Sequence, residues 1–190
     1  MKGKSLLAIL VLVLLAACGP IIGSSMVASN GVKDFAVSEG KLVDLKAGSR
    51  VLIVAPFAIT PESFYICRGE DASVFVDTFN QNGIFSAEFH MEQRFEDNSA
   101  LVKELKAMKP ADIKAKLNLA NEPQYLVTGT ILKRETIAAP TKGVLMQVAY
   151  RLEFHDLTTA KKTVIEVEVK DFFQQCIRTA VKEIAQQIAG

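Results

Sequence analysis

A continuous apolar run is the feature that most constrains the fold of this chain. It extends from Val51 to Phe57 without a charged or hydrogen-bonding side chain. An amphipathic helix or a half-exposed strand would place polar residues at regular intervals, so this run predicts a strand that is buried on both faces. Such a strand requires a layer of structure on each side of its sheet, and the rest of the chain must supply those layers.

Segments with helical and strand-like periods alternate after this run. Gly83 ends the first helical segment, and Pro110 breaks the second, for which Ser99 is the candidate N-cap. Apolar spacing identifies each segment through its period of 3.6 or 2. In chain order we expect a helix at 71–82, a strand at 84–91, a helix that starts at Ser99, a short helix at 111–119 and a strand at 125–132.

The C-terminal half adds strands at 144–157 and 163–169 and a helix at 171–189. Alternating stretches within residues 35–45 indicate an additional edge strand. Strands joined through helices are expected to pair in parallel or mixed fashion, and strands joined by short turns to form an antiparallel meander. The order β-α-β-α-β-β-β-α therefore predicts an α/β fold. We expect a single domain with a mixed sheet of about five strands and helices packed on it.

The first seventeen residues have the form of a secretory signal peptide. Lys2 and Lys4 supply a positive start, and an apolar run from Leu6 to Leu15 leads to small residues before Cys18. The run is too short to span a membrane comfortably, because a spanning helix needs about 20 apolar residues. We therefore expect cleavage before Cys18, with an ordinary signal peptide or an uncleaved anchor as the alternatives.

The residues Leu15-Ala16-Ala17-Cys18 resemble the lipobox of bacterial lipoproteins. The resemblance implies that the Cys18 thiol receives diacylglycerol and that its new amino group is then acylated. Two or more acyl chains hold a protein stably on a bilayer. Gly19 stands where inner-membrane lipoproteins of enteric bacteria carry aspartate. The resemblance thus implies the outer membrane of a Gram-negative cell, with the domain facing the periplasm.

The mature chain would begin at Cys18 and have 173 residues, which suits one domain with a tail. Residues 19–33 are rich in Gly and Ser and lack periodicity. The sequence therefore predicts a lipidated cysteine and flexible tether over 18–49 and a folded domain over 50–190. Without Lys2 and Lys4 there are 20 basic and 21 acidic residues, a net charge of −1. This balance argues against nucleic acid as a partner.

Several phrases of the domain resemble the periplasmic lipoproteins and domains related to the N-terminal domain of TolB, a group that includes LpoB and CsgG. The resemblance covers about residues 50–189, and its phrases are residues 51–57, 82–86, 125–130 and 152–159. It implies the same α/β fold. It also implies that the domain binds proteins of the cell envelope.

The sequence contains no recognisable catalytic, metal or nucleotide motif. His90 and His155 are scattered singly near strand ends, and no nucleophile elbow or phosphate-binding loop occurs. We therefore expect no enzyme activity, no cofactor, no metal site and no small-molecule substrate. Cys67 and Cys176 could form a disulfide in an oxidising compartment, although two free thiols are the preferred interpretation. Five lysines occur on the second and third helical segments: Lys103, Lys106, Lys109, Lys114 and Lys116. We expect them to form a solvated helix surface, and the alternative is that they bind an anionic surface.

These observations predict a membrane-anchored periplasmic lipoprotein that acts as a non-catalytic adaptor or regulator. A periplasmic or outer-membrane protein is the expected partner, and regulation of peptidoglycan synthases is one partner class that the resemblance implies. The alternative is a component of an oligomeric outer-membrane secretion or assembly complex, as CsgG is. An envelope hydrolase that uses His155 is a third and less favoured hypothesis.

Overall fold

The computed structural model describes residues 29–63, 70–91, 98–138 and 143–190. This part of the chain forms one mixed α/β domain with a seven-stranded sheet and four helices packed on it. The expected fold class is therefore confirmed. The strands are β1 (Gly31–Glu39), β2 (Ser49–Ala55), β3 (Ala58–Ile59), β4 (Phe85–Met91), β5 (Tyr125–Ala138), β6 (Leu145–Asp156) and β7 (Lys162–Phe172), and the helices are α1 (Glu70–Asn82), α2 (Ser99–Ala107), α3 (Pro110–Leu117) and α4 (Cys176–Ala189).

The order of strands across the sheet is β1-β7-β6-β5-β2-β4, and the short β3 pairs with β5 beyond the end of β2. β2 is parallel to both β4 and β5, because the helices α1 and then α2 and α3 carry the chain back between successive strands. The pairs β5–β6, β6–β7 and β7–β1 are antiparallel. Both pairing patterns agree with the expectation from connection lengths.

The strand β2, which lies between β5 and the edge strand β4, is buried on both faces, as its apolar run predicts. Val51 and Ile53 point into the larger core under α1 and α4, whereas Leu52 and Val54 belong to a smaller core. Leu105 of α2 and Ile113 of α3 close that smaller core from the other side. The described helices thus cover both faces only at the parallel end of the sheet.

Aromatic side chains dominate the larger core. Phe75 and Phe79 of α1 contact each other with centroids 5.8 Å apart, and Phe79 meets Phe85 of β4 edge to face at 5.2 Å. Phe154 of β6 packs against Phe85 at 5.7 Å. Edge-to-face and tilted contacts of this kind add about 0.5–1.5 kcal/mol each beyond the buried area. These contacts bind α1 to strands from both halves of the sheet.

The sheet has more strands than the five expected, because β1 and β3 are added to them. β1 overlaps the region 35–45 for which an edge strand was expected, but it begins at Gly31 and ends at Glu39. Ordered structure thus extends well into the segment 18–49 that the sequence assigns to the tether. The sequence indicates this strand only weakly because few of its apolar side chains, Val32 and Phe35, pack against the core.

The expected start of the last helix, at Asp171, is wrong by five residues. Asp171 and Phe172 still belong to β7, where they pair with Met146 and Leu145, and a single 3₁₀ turn follows before α4 begins at Cys176. Strand pairing extends to Phe172 because β6 begins at Leu145 and supplies a partner for each of these residues. Ser99 is likewise the first residue of α2 rather than its N-cap. Asn98 holds the N-cap position, and its side chain donates to the Pro56 carbonyl instead.

Candidate functional site

A buried ionic cluster lies between α1 and the antiparallel strands. Arg134 of β5 donates to Asp71 Oδ1 at 2.6 Å, and the two side chains are only 3% and 10% exposed. The Arg134 guanidinium also donates a hydrogen bond to the hydroxyl of Tyr150. Tyr150 is 2% exposed. Burial, reinforced by the charge of Asp71, raises the pKa of Tyr150 well above its ordinary value. Tyr150 therefore stays neutral and accepts from the guanidinium.

A shift in strand register turns Arg134 toward the helices. Ile131 pairs with Tyr150 and Lys133 with Ala149, so that one residue of β5 has no partner on β6 at this point. This irregularity reverses the inside–outside alternation of β5. Lys133 then points away from the core, and Arg134 points into it. Arg134 could not be identified from the sequence, since regular alternation continued from Ile131 would have placed it on the outer face.

Cys176, the first residue of α4, lies near this cluster as a free and buried thiol. Burial, followed by the charge of Asp171, raises its pKa to about 12. Its Sγ is 3.5 Å from the carbonyl oxygens of both Asp171 and Phe172. At neutral pH Cys176 is therefore protonated and unsuited to nucleophilic attack. Cys67, the other half of the considered disulfide, lies outside the described residues.

A cavity of about 460 Å³ adjoins the ionic cluster. Its charged side chains are balanced, because Glu70 and Asp71 oppose Arg134 and Arg178. The Ser73 hydroxyl on its wall donates to the Glu70 carbonyl at 2.9 Å. Among the described residues of this wall there is no pairing of a nucleophile with a general base. The arrangement fixes α1 against β5 and β6.

The structure does not bring the two histidines together. His90 is on β4 and His155 is on β6, and the strands β2 and β5 lie between them. Burial, and then the positive charge of Lys106, lower the pKa of His155. Asp156 does not orient this imidazole as a base would require, since its carboxylate accepts from the backbone of Thr158 and Thr159 at 2.8 Å. The described residues also contain no cluster of three metal-ligating side chains.

One face of the antiparallel strands carries no helix in the described part of the chain. We call this surface the open face, and it lies opposite the core under α1 and α4. Its side chains are polar or small and are half-buried to exposed, in contrast to the apolar residues of the other side. The residues that define it are Asp34, Ala36, Thr128, Thr130, Lys133, Gln147, Ala149, Arg151, Glu153, Glu166 and Glu168.

Charges on the open face are paired across neighbouring strands. Arg151 lies 2.7 Å from Glu166, and Gln147 donates to Glu168 at 2.6 Å. Lys106 reaches from α2 to Glu153 at 2.5 Å, so that α2 forms a wall at one border of the face. Each exposed pair contributes only about 0.2–1 kcal/mol to stability. The surface is therefore hydrated and mixed in charge, which is typical of a polar, exchangeable interface rather than of a permanent one.

The predicted signal peptide and Cys18 lie outside the described residues, so lipidation at Cys18 stays a prediction from sequence. No helix in the described ranges has both the length and the apolar character needed to cross a bilayer.

No protein-family model matches the chain, and no curated protein sequence matches it. Among solved structures, the chain is similar to two structures of the PelC dodecamer from Paraburkholderia phytofirmans, each at 14% sequence identity. The match covers 82% of this chain and 95% of theirs, with TM-scores of 0.47 and 0.45. It is also similar to the hypothetical protein CT253 from Chlamydia trachomatis, at 12% identity over 75% of this chain and 94% of that one, with a TM-score of 0.37.

Proposed function

We propose that this protein is a lipid-anchored, non-catalytic adaptor of the bacterial cell envelope that binds a protein partner through its open face. The open face is the observation that carries the proposal. Four antiparallel strands are packed on one side by α1 and α4, and their other side is left uncovered by the described helices. A rigid, hydrated sheet surface with a helical wall offers many fixed hydrogen-bonding side chains to a folded partner.

The anchor keeps this surface close to a membrane. Twelve residues separate Cys18 from Gly31, where β1 begins. A Gly- and Ser-rich segment of that length has a root-mean-square reach of about 20 Å. The domain would then search only a thin layer next to the bilayer, which favours partners that are themselves in or on the membrane. Peptidoglycan synthases are one such partner class, in keeping with the resemblance to LpoB.

Replacement of the anchor residue tests the first half of the proposal. The variant Cys18→Ser should incorporate no labelled fatty acid, because serine offers no thiol for the thioether bond. We expect the variant to leave the membrane fraction or to accumulate as uncleaved precursor. Intact-mass analysis of the purified wild-type chain provides the matched measurement. An unmodified wild-type polypeptide would contradict the anchor.

In-cell photo-crosslinking tests the second half. A photoreactive amino acid at Gln147 or Arg151 of the open face should capture one reproducible envelope protein, identified by mass spectrometry. The same residue placed at Asp77 of α1 or Lys182 of α4, both exposed on the covered side, serves as the control. Equal yields from both sides, or no adduct from the open face, would count against the open face as the binding surface.

A further inference from the structure

The helices α2 and α3 carry a concentration of positive charge. Residues 99–120 contain five lysines but only two acidic residues, Glu104 and Asp112, which gives a local net charge of +3. The whole chain from Cys18 onward has a net charge of −1. The remainder of the mature protein is therefore net acidic, whereas residues 99–120 are net basic.

Internal ion pairs account for only part of these lysines. Lys106 pairs with Glu153 of the sheet, and Lys116 pairs with Glu104 of the neighbouring helix. The three others, Lys103, Lys109 and Lys114, have no carboxylate within ion-pairing distance among the described residues. Lys103 and Lys109 are exposed, and Lys114 is half-buried. We call these three residues the lysine surface.

Both helices turn their apolar sides toward the sheet. Leu105 of α2 and Ile113 of α3 are fully buried against Leu52, Val54 and Leu126 of the sheet. Lys103 precedes Leu105 by two residues, which places it on the opposite side of the helix at 100° per residue. Lys103 therefore faces outward, and Lys109, which lies between the two helices, is exposed as well.

The tether leaves this layer within reach of the bilayer. Twelve residues connect Cys18 to β1, and their fully extended length is about 40 Å. The six strands from β1 to β4 have a combined width of about 25 Å at a spacing of about 4.8 Å. The layer of α2 and α3 can therefore touch the bilayer that holds the lipid.

We propose that the lysine surface rests on anionic phospholipid headgroups of the bilayer in which Cys18 is anchored. This inference rests on the proposed lipid anchor and adds an orientation to it. A net charge of +3 binds a membrane weakly by itself, but the anchor makes the contact intramolecular in effect and so raises its occupancy. The open face lies on the same side of the sheet as α2 and would then be turned toward the membrane side of the domain.

Lysine footprinting of the lipidated full-length protein tests the orientation. The protein is reconstituted in vesicles of phosphatidylcholine alone or with added phosphatidylglycerol, and acetylation of each lysine by an amine-reactive reagent is quantified by mass spectrometry. At low salt, phosphatidylglycerol should slow the modification of Lys103 and Lys109 by about threefold or more, and added salt should remove the effect. Lys41 and Lys46, which are exposed elsewhere on the domain, should be unchanged.

Two charge-matched variants separate docking from general attraction. The first carries Lys103→Gln, Lys109→Gln and Lys114→Gln, and the second carries Lys41→Gln, Lys46→Gln and Lys182→Gln. Protection of the remaining Lys116 by phosphatidylglycerol should be lost in the first variant and retained in the second. Equal behaviour of the two variants, or protection only in native envelopes that contain protein, overturns the proposal. Failure of the wild-type protein to sediment with either vesicle would instead refute the anchor.

Discussion

Replacement of Asp71 by alanine is expected to lower the free energy of unfolding by about 3 kcal/mol, because it leaves the Arg134 guanidinium buried without its counter-ion. The Arg134 side chain is 3% exposed and donates to Asp71 at 2.6 Å. Tyr150, the other neighbour of the guanidinium, is neutral and cannot replace the lost charge. Urea denaturation followed by circular dichroism measures the change. A loss below about 1 kcal/mol would show that water in the adjacent cavity already solvates Arg134.

Two further variants isolate the ion pair from other effects of the substitution. Asp77→Ala removes an exposed carboxylate from the same helix and should change stability by less than about 0.5 kcal/mol. The double variant Asp71→Leu with Arg134→Met replaces both charges by apolar side chains of similar size. We expect it to recover most of the stability, since a buried ion pair is often no more stable than its hydrophobic replacement. If the double variant is less stable than Asp71→Ala, the pair itself is stabilising.

The periodicity of apolar residues predicts the elements that form the core of this fold well, but it predicts the edge strand and the element boundaries poorly. The apolar run of β2 and the helical spacing before Gly83 identify elements that contribute fully buried side chains to the core. β1 is different because none of its residues is fully buried. The predicted start of the last helix is wrong for a related reason, because an apolar residue before α4 fits the helical spacing. Phe173 packs against the core from a 3₁₀ turn, so its position fits a helix that has not yet begun.

The ionic cluster could not be predicted from local sequence. Asp71 and Arg134 are 63 residues apart, and the contact depends on a shift in register that regular alternation does not reveal. An arginine within a strand ordinarily indicates the solvent side. The open face, by contrast, follows from the strict alternation within β6, where polar and apolar residues separate onto two sides. Which side lacks a helix depends on the path of α1 and α4, and only the assembled sheet shows it.

Gly129→Ala is expected to destabilise the protein by about 1–3 kcal/mol, although alanine usually suits a strand better than glycine. The ring of Phe57 lies directly over Gly129, and an added Cβ would stand 2.4 Å from its Cδ2 atom. Phe57 cannot move aside without cost, since it is 7% exposed and packs against Phe75 with centroids 5.6 Å apart. Denaturant unfolding of the single variant measures the loss.

The sign of this effect should reverse when the ring is absent. Phe57→Ala alone costs about 3–5 kcal/mol through lost burial and the cavity that remains. In that background Gly129→Ala meets no ring, fills part of the cavity and reduces the freedom of the unfolded chain, so it should stabilise by about 0.5 kcal/mol. The opposite signs define a coupling energy between the two positions. If Gly129→Ala lowered the free energy of unfolding equally in both backgrounds, the strain would lie in the backbone of β5. The Phe57 ring would then not be the reason that position 129 requires glycine.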